Sequence, residues 1–279
     1  MARVRHSSGT LVLVLVPRQI PNVGAGPYGD PVNDIRVSSA VPLADLDFAV
    51  VDVETTGFSP QDSAITEIGA VRLRRGQAIA EYTSLVNPGT PVPAQVEALT
   101  GIRDDMLRTA PTAAAVLPGL LAFADGCVIA AHNARFDVGF LTAACEVAGL
   151  PWPGFAVIDT VRLARHLMIV PDEVPDRRLG TLADFFGTPV RPSHRALADA
   201  RATADILMRL VERLAGRGIT TMDELTAWLA ERDAAEVAAR ELASRAPDDA
   251  ERGWRHWLAR AVRRARRRTD NLRAWLPRL

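Results

Sequence analysis

Several residue types and sequence features are scarce in this chain of 279 residues. It has two cysteines, Cys127 and Cys145, which are too few for a disulfide framework and lack the spacing of a metal site. Both fall within predicted elements and are most simply small core residues, consistent with a reducing cytoplasm. Lysine is absent, so all 33 basic residues are arginines. This bias is typical of a GC-rich genome, and we draw no mechanism from it.

Long apolar runs are also missing. No run approaches the ~18 residues needed to span a bilayer, and residues 11–16 (LVLVLV) are too few for the hydrophobic region of a secretory signal. We therefore expect a cytoplasmic protein with no membrane association. An apolar content of 48% in a chain of this length can bury one good core and carry an appendage.

The first informative pattern is a pair of acidic residues, Asp52 and Glu54, at the end of an apolar segment. Residues 48–53 (FAVVDV) are typical of a buried strand. Alternate strand residues leave on the same side, so these two carboxylates lie roughly 7 Å apart on one face, where they can hold one cation or bridge two. Alone the pair is a weak signal, because pairs of this kind recur by chance, as Asp45 and Asp47 do.

A second pattern places Asp137 in the first turn of a helix. Residues 127–131 (CVIAA) predict a short buried strand, Asn133 is the predicted N-cap, and residues 134–148 have helical periodicity. The helix therefore starts at the carboxyl end of a strand, which is where ligands bind in open α/β sheets. Taken by itself, Asp137 is explained as well by a favourable interaction with the helix dipole.

The third pattern combines Asp199 with His194. Asp199 heads the otherwise apolar inner stripe of a helix predicted to run to about residue 214, so it needs a partner or a cation. In a continuous helix His194 would point away from that face. We therefore predict that it lies on the preceding loop and folds back over the site, as a side chain that exchanges protons near neutral pH. The alternative is a surface histidine beside Arg191 and Arg195.

Together these patterns resemble the motifs of the DEDD superfamily of 3′–5′ exonucleases, histidine subtype, and within it the proofreading (epsilon) subunits of bacterial DNA polymerase III. The resemblance covers about residues 46–216. Its three motifs are DVETTG at 52–57, HNARFD at 132–137 and HRALAD at 194–199. Smaller matches are ITEIGAV at 65–71, LTGI at 99–102, VIDT at 157–160 and LADFFG at 182–187.

The resemblance implies hydrolysis of phosphodiester bonds from the 3′ end of DNA, in proofreading or repair, with two Mg²⁺ or Mn²⁺ ions. His194 would be the general base that takes a proton from the attacking water. The implied cation ligands are Asp52, Glu54, Asp137 and Asp199. The implied substrate-binding residues are Thr55, Thr56, Leu99 and Phe136; for the last two, plain core packing is an equally open interpretation.

The order of predicted elements indicates an α/β fold, a ribonuclease-H-like mixed five-stranded sheet with helices on both faces. Residues 1–45 are predicted to be a flexible leader, 46–216 an exonuclease domain, and 217–279 a helical extension that opens with a capping box at Thr221 and Glu224. The extension ends in a basic amphipathic helix, because residues 252–279 contain ten arginines and one aspartate.

The basic helix leaves several partners open: nucleic-acid backbone, the chain's own domain, an acidic protein or a membrane surface. The expected partners of the whole protein are 3′ ends of single-stranded or frayed DNA, RNA as a variant, and a DNA polymerase or other replication or repair protein. Two alternative functions also stay open. One is an exoribonuclease that trims RNA 3′ ends, and the other is a nucleic-acid-binding scaffold without turnover.

Overall fold

The computed structural model describes residues 41–168, 170 and 172–244. After a short 3₁₀ helix at Leu43–Asp45, the strands are β1 (Asp47–Thr55), β2 (Ile65–Arg74), β3 (Gln77–Leu85), β4 (Val128–Ala131) and β5 (Val157–Asp159). The helices are α1 (Ala94–Thr100), α2 (Asp104–Leu107), α3 (Ala113–Ala124), α4 (Ala134–Val147), α5 (Thr160–Leu167), α6 (Leu179–Phe186), α7 (Ala196–Ala215) and α8 (Met222–Ser244).

The described strands form one mixed sheet in the order β3-β2-β1-β4-β5. β1 pairs antiparallel with β2, and β2 pairs antiparallel with β3. On the other side, β1 pairs parallel with β4, and β4 pairs parallel with β5. The predicted five-stranded ribonuclease-H-like sheet is thus confirmed, with β1 at its centre.

Apolar side chains of β1 alternate between two cores, one on each face of the sheet. Phe48 and Val50 pack with α5, α6, α7 and α8 in the first core. Ala49 and Val51 pack with α3 and α4 in the second. A strand that is buried on both faces has a continuous apolar sequence, which is what residues 48–51 show. The prediction of helices on both faces is confirmed.

The folded unit extends beyond the segment predicted to be the exonuclease domain. Leu43, within the predicted leader, is buried in the first core. On the C-terminal side, Leu225, Trp228 and Leu229 of α8 pack into the same core. Arg162 of α5 also binds Asp233 of α8, with a 2.9 Å bond from its Nε. The boundaries at 46 and 216 therefore mark changes of composition rather than the limits of packing.

The helical extension begins as predicted. Thr221 Oγ1 accepts a hydrogen bond from Glu224 N at 3.3 Å, and Glu224 Oε2 accepts one from Thr221 N at 3.0 Å, which is the reciprocal pattern of a capping box. The predicted basic helix lies outside the described residues. Within the part of the chain that the structure describes, no helix is both long and apolar enough to cross a bilayer.

Candidate active site

The candidate site lies at the carboxyl end of β1, beside the start of α7. Asp52 and Glu54 share the orientation of Phe48 and Val50, because strand side chains alternate, and so they face the side of the sheet on which α7 packs. Both are partly exposed, whereas the intervening Val53 is buried in the second core.

Asp137 reaches the site from the opposite face of the sheet. It lies in the first turn of α4, which starts directly beyond β4, and it is 3% exposed. Its Oδ1 accepts a hydrogen bond from Val53 N at 3.0 Å, and this bond ties α4 to β1 between the two acidic residues. Asn133 occupies the predicted N-cap position, in the left-handed region at φ 76°, but its side chain makes no capping hydrogen bond.

Asp199 and His194 complete the cluster. Asp199 is 5% exposed, and its Oδ1 accepts a hydrogen bond from Ser193 N at 2.8 Å. His194 lies on the loop before α7, as predicted, with an exposed side chain and φ 54°. Potential ligand atoms of Glu54, His194 and Asp199 all lie within 4.8 Å of one another.

Burial raises the pKa of every carboxyl in this cluster, and repulsion between carboxylates raises the pKa of Asp52, Glu54 and Asp137 further. Desolvation is the main cause for Asp52, whose pKa is raised further by the charges of Asp137, Asp199 and Glu54. Desolvation also raises the pKa of Asp137 to about 8, and desolvation together with the charge of Asp199 raises that of Glu54 to about 7. The pKa of Asp199 is raised by desolvation as well. The charge of Arg195 lowers the pKa of Glu54 but does not offset these effects.

Divalent cations fit this donor set. Carboxylate oxygens are the ligands that Mg²⁺ and Mn²⁺ prefer, and positive charge would relieve the repulsion that raises these pKa values. Arg195 lies near the cluster, but its guanidinium is engaged by Glu67, with a 2.7 Å bond from Nη2 to Oε1. The cluster therefore suits divalent cations better than any basic side chain that the structure places beside it.

The predicted substrate-binding residues differ in their surroundings. Thr55 is buried and its hydroxyl donates to Gly57 O at 2.5 Å, while Thr56 Oγ1 accepts from Ala64 N at 3.0 Å. Both hydroxyls therefore stabilise the turn after β1. Leu99 is 55% exposed, so core packing does not explain it. Phe136 is half-buried against Phe140, with ring centroids 4.9 Å apart.

Sequence reasoning assigned no role to two residues near the site. Phe58 follows the first motif and is 90% exposed, which is unusual for a phenylalanine. Its position directly after TTG is the only signal in the sequence. Glu67 pairs with Glu54 across β1 and β2 and is buried. The available signal was an acidic residue in the mostly apolar first part of β2, ITEIGAV at 65–71.

A mixed sheet of this order, with acidic residues gathered at the carboxyl end of its central strand, is the ribonuclease-H-like fold. The sequence profile of the exonuclease family RNase_T matches residues 49–207, and the chain belongs to this family. The resemblance to DEDD 3′–5′ exonucleases is thereby confirmed.

Similar proteins come from larger chains. One, from Mycobacterium tuberculosis, carries the provisional name of bifunctional exonuclease/endonuclease; it is 44% identical over 74% of this chain and 33% of its own length. The PolC-type DNA polymerase III of Caldanaerobacter subterraneus is 39% identical over 67% of this chain and 13% of its own. The chain thus spans a third or less of these relatives.

Among solved structures, E. coli exonuclease I in complex with a dA16 oligonucleotide matches with a TM-score of 0.53 and 20% identity, over 65% of this chain and 45% of that chain. A 3′-exonuclease in complex with a histone mRNA stem-loop matches with a TM-score of 0.51 and 21% identity, over 61% of this chain and 65% of that chain. At these identities the likeness concerns the fold.

Proposed function

We propose that this protein is a divalent-cation-dependent 3′–5′ exonuclease that removes nucleotides from the 3′ end of DNA. The observation that carries the proposal is the convergence of four acidic residues and one histidine, from three separate motifs, on the carboxyl end of β1. A scaffold that only binds nucleic acid has no need for carboxyls whose burial raises their pKa at a site open to substrate.

Each residue has a distinct part in this proposal. Asp52, Glu54 and Asp199 would hold one cation; Asp52 would share the second, with Asp137 acting directly or through water. When bound, the two cations would stabilise charge on the attacking and leaving oxygens. His194 would accept the proton of the attacking water, because its loop position leaves the ring free to approach and withdraw.

The substrate end is proposed from exposure and position. Leu99 and Phe58 expose apolar surface that can contact base faces, and Phe136 adds a half-buried ring. Contacts to base faces tolerate any sequence, as an exonuclease requires. Thr55 and Thr56 would hold the terminal nucleotide through the turn that their hydroxyls stabilise. DNA is favoured over RNA because the PolC-type relatives, at 34–39% identity, are named as DNA polymerases.

A direct test incubates the full chain with 3′-labelled single-stranded DNA, a duplex with a mismatched 3′ end, and RNA, with and without Mn²⁺. We expect cation-dependent release of mononucleotides, faster from DNA than from RNA. Asp52→Ala and Asp199→Ala should abolish release yet leave DNA binding in place, since each removes a cation ligand. The matched control is Asp184→Ala, at an aspartate whose side chain is 64% exposed.

Three results would contradict parts of the proposal. Near-normal turnover by Asp52→Ala or Asp199→Ala would show that the ligand assignment is wrong. Faster release from RNA would make RNA trimming the leading function. Binding of 3′ ends without release under any cation would favour a scaffold.

A further inference from the structure

Glu67 and Arg195 form an ion pair beside the candidate site, and neither is among the residues proposed to bind cations or substrate. Glu67 lies on β2 with a side chain that is 5% exposed, and Arg195 directly follows His194. Arg195 donates from Nε at 3.0 Å and from Nη2 at 2.7 Å to the two carboxylate oxygens of Glu67. A bidentate pair fixes orientation as well as distance.

The same carboxylate also caps α7. Ala196 N donates to Glu67 Oε2 at 2.9 Å, which satisfies one of the amides that a helix leaves free at its first turn. Arg195 occupies the N-cap position, and its side chain makes no capping hydrogen bond. Glu67 therefore supplies from the neighbouring strand the cap that the helix does not supply itself.

His194 is consequently held between two anchors. On one side, Ser193 N is bound by Asp199; on the other, Arg195 and Ala196 N are bound by Glu67. Between these anchors the backbone of His194 has φ 54°, which is disfavoured for a residue with a Cβ. Its side chain is exposed, so packing orients the ring less than the backbone does.

We propose that Glu67 and Arg195 are positioning residues, whose ion pair fixes the backbone that follows His194 and thereby sets where the imidazole lies relative to Glu54 and Asp199. This inference rests on the proposed role of His194 as general base. The pair has a second route of influence, because Glu67 is also the cross-strand neighbour of Glu54 and its charge acts on the acidic cluster. A test must separate these two routes.

The test is a double-mutant cycle on hydrolysis of the p-nitrophenyl ester of thymidine 5′-monophosphate at saturating Mn²⁺. Arg195→Met should lower kcat about 10²-fold, the scale of a misplacement of ~1 Å, with little change in KM. His194→Ala should lower kcat about 10²–10⁴-fold. In the His194→Ala background, Arg195→Met should cause no further loss, because the histidine that it positions is absent.

Conservative variants test whether the geometry of the pair or its charge matters. Arg195→Lys keeps the charge but loses the planar fork, so its kcat should fall too. Glu67→Gln keeps an acceptor for Ala196 N, so its kcat should fall less than that of Arg195→Met. Arg195→Lys and Glu67→Gln keep most of the side-chain volume, so kcat can be measured on them even if Arg195→Met does not fold. Full activity of Arg195→Lys would overturn the geometric role.

The chain offers a matched control in a second ion pair between the sheet and α7. Arg201 binds Glu81 of β3 at 2.7 Å from Nε and 2.6 Å from Nη2, farther along the helix. Arg201→Met should leave kcat near the wild-type value while thermal unfolding confirms that each variant is folded. An equal loss of kcat in Arg201→Met would show a general effect on α7 and overturn the inference.

The two remaining outcomes are also decisive. If Arg195→Met loses as much activity without His194 as with it, the pair acts on the acidic cluster and the positioning role is overturned. If His194→Ala keeps full activity, the general-base role fails, and the inference falls with it. Failure of the general-base role is distinguished from failure of the positioning role, because it is seen in His194→Ala alone, with Arg195 unchanged.

Discussion

At the scale of single residues, the raised pKa values of the acidic cluster make the stability of the cation-free protein depend on pH. Burial raises the pKa of Asp137 to about 8 and, with Asp199, that of Glu54 to about 7, far above the values of about 4 expected in an unfolded chain. A group with a raised pKa favours folding while it is protonated. That contribution is lost as the pH rises through the folded pKa.

We therefore expect the melting temperature in EDTA to fall as the pH rises from about 5 to about 8.5, and Mn²⁺ to restore it at the upper end. Asp137→Asn should remove part of this decline, because the amide keeps an acceptor for Val53 N without gaining charge. Its gain in melting temperature should be larger at pH 8 than at pH 5. Thermal unfolding across this range tests the expectation, with exposed Asp184→Asn as the control. A wild-type melting temperature that rises toward pH 8.5 would contradict it.

The proposed cation ligands were more predictable from the sequence than the residues proposed to position His194. Asp52 and Glu54 followed from the two-residue period of a strand, and Asp137 from its place at a strand-to-helix junction. Glu67 could not be assigned in this way, because its partner Arg195 lies 128 positions away. Only the fold brings the two together.

At the scale of elements, the contact between α7 and β2 brings Asp199 to β1. Gly69 of β2 is the cross-strand partner of Asp52. A Cβ at Gly69 would lie 2.3 Å from the backbone of Ala196 and Leu197, so the first turn of α7 rests directly on the strand. The glycine is required by this close approach and not by its backbone conformation.

Gly69→Ala should therefore push α7 away from β1. We expect destabilisation of about 1–3 kcal/mol from overpacking, together with a loss of kcat, because both Asp199 and the His194 loop move with the helix. The control is Gly180→Ala in α6, where a Cβ would meet nothing within 4 Å. Denaturant unfolding and steady-state kinetics on the same samples measure both effects. Unchanged stability in Gly69→Ala would mean that the helix adjusts freely.

Elements with strong periodicity were predicted to within a few residues, including β1, α4 and α7. The helix α2 was not predicted, since four residues are too few for a periodic pattern. The packing of α8 was not predicted either. The sequence of α8 is rich in Ala, Glu and Arg and has only a weak apolar stripe. Only the fold shows that Leu225, Trp228 and Leu229 pack in the core.

At the scale of the whole molecule, two truncations separate folding from nucleic-acid binding. Ending the chain at residue 216 removes Leu225, Trp228 and Leu229 from the first core, and loss of a single large core side chain typically costs about 2–5 kcal/mol. This variant should unfold at a much lower temperature or fail to fold. Deletion of residues 248–279 should leave the melting temperature close to that of the full chain.

The shorter deletion also tests the predicted basic helix. Residues 248–279 contain ten arginines and four acidic residues. If these arginines bind phosphates, each contact adds roughly −0.7 to the slope of log affinity against log salt concentration for a single strand. The full chain should therefore lose affinity for a long strand with added salt faster than the truncated one, while both hydrolyse a trinucleotide equally. Identical salt slopes would assign the segment to a protein or membrane partner, or to the domain itself.

The start of the folded unit lies beside the turn between α7 and α8. Pro42 and Thr221 form an antiparallel bridge, and Leu43 N donates to Thr220 O at 2.6 Å. The acidic cluster lies toward the opposite end of β1, since Asp52 and Glu54 are roughly 17 and 23 Å along the strand from Asp47 at about 3.3 Å per residue. The chain therefore enters the folded unit at the end of the sheet remote from the acidic cluster, beside the turn between α7 and α8. A protein fused before residue 41 would join the unit at that remote end and should leave the geometry of the acidic cluster unchanged.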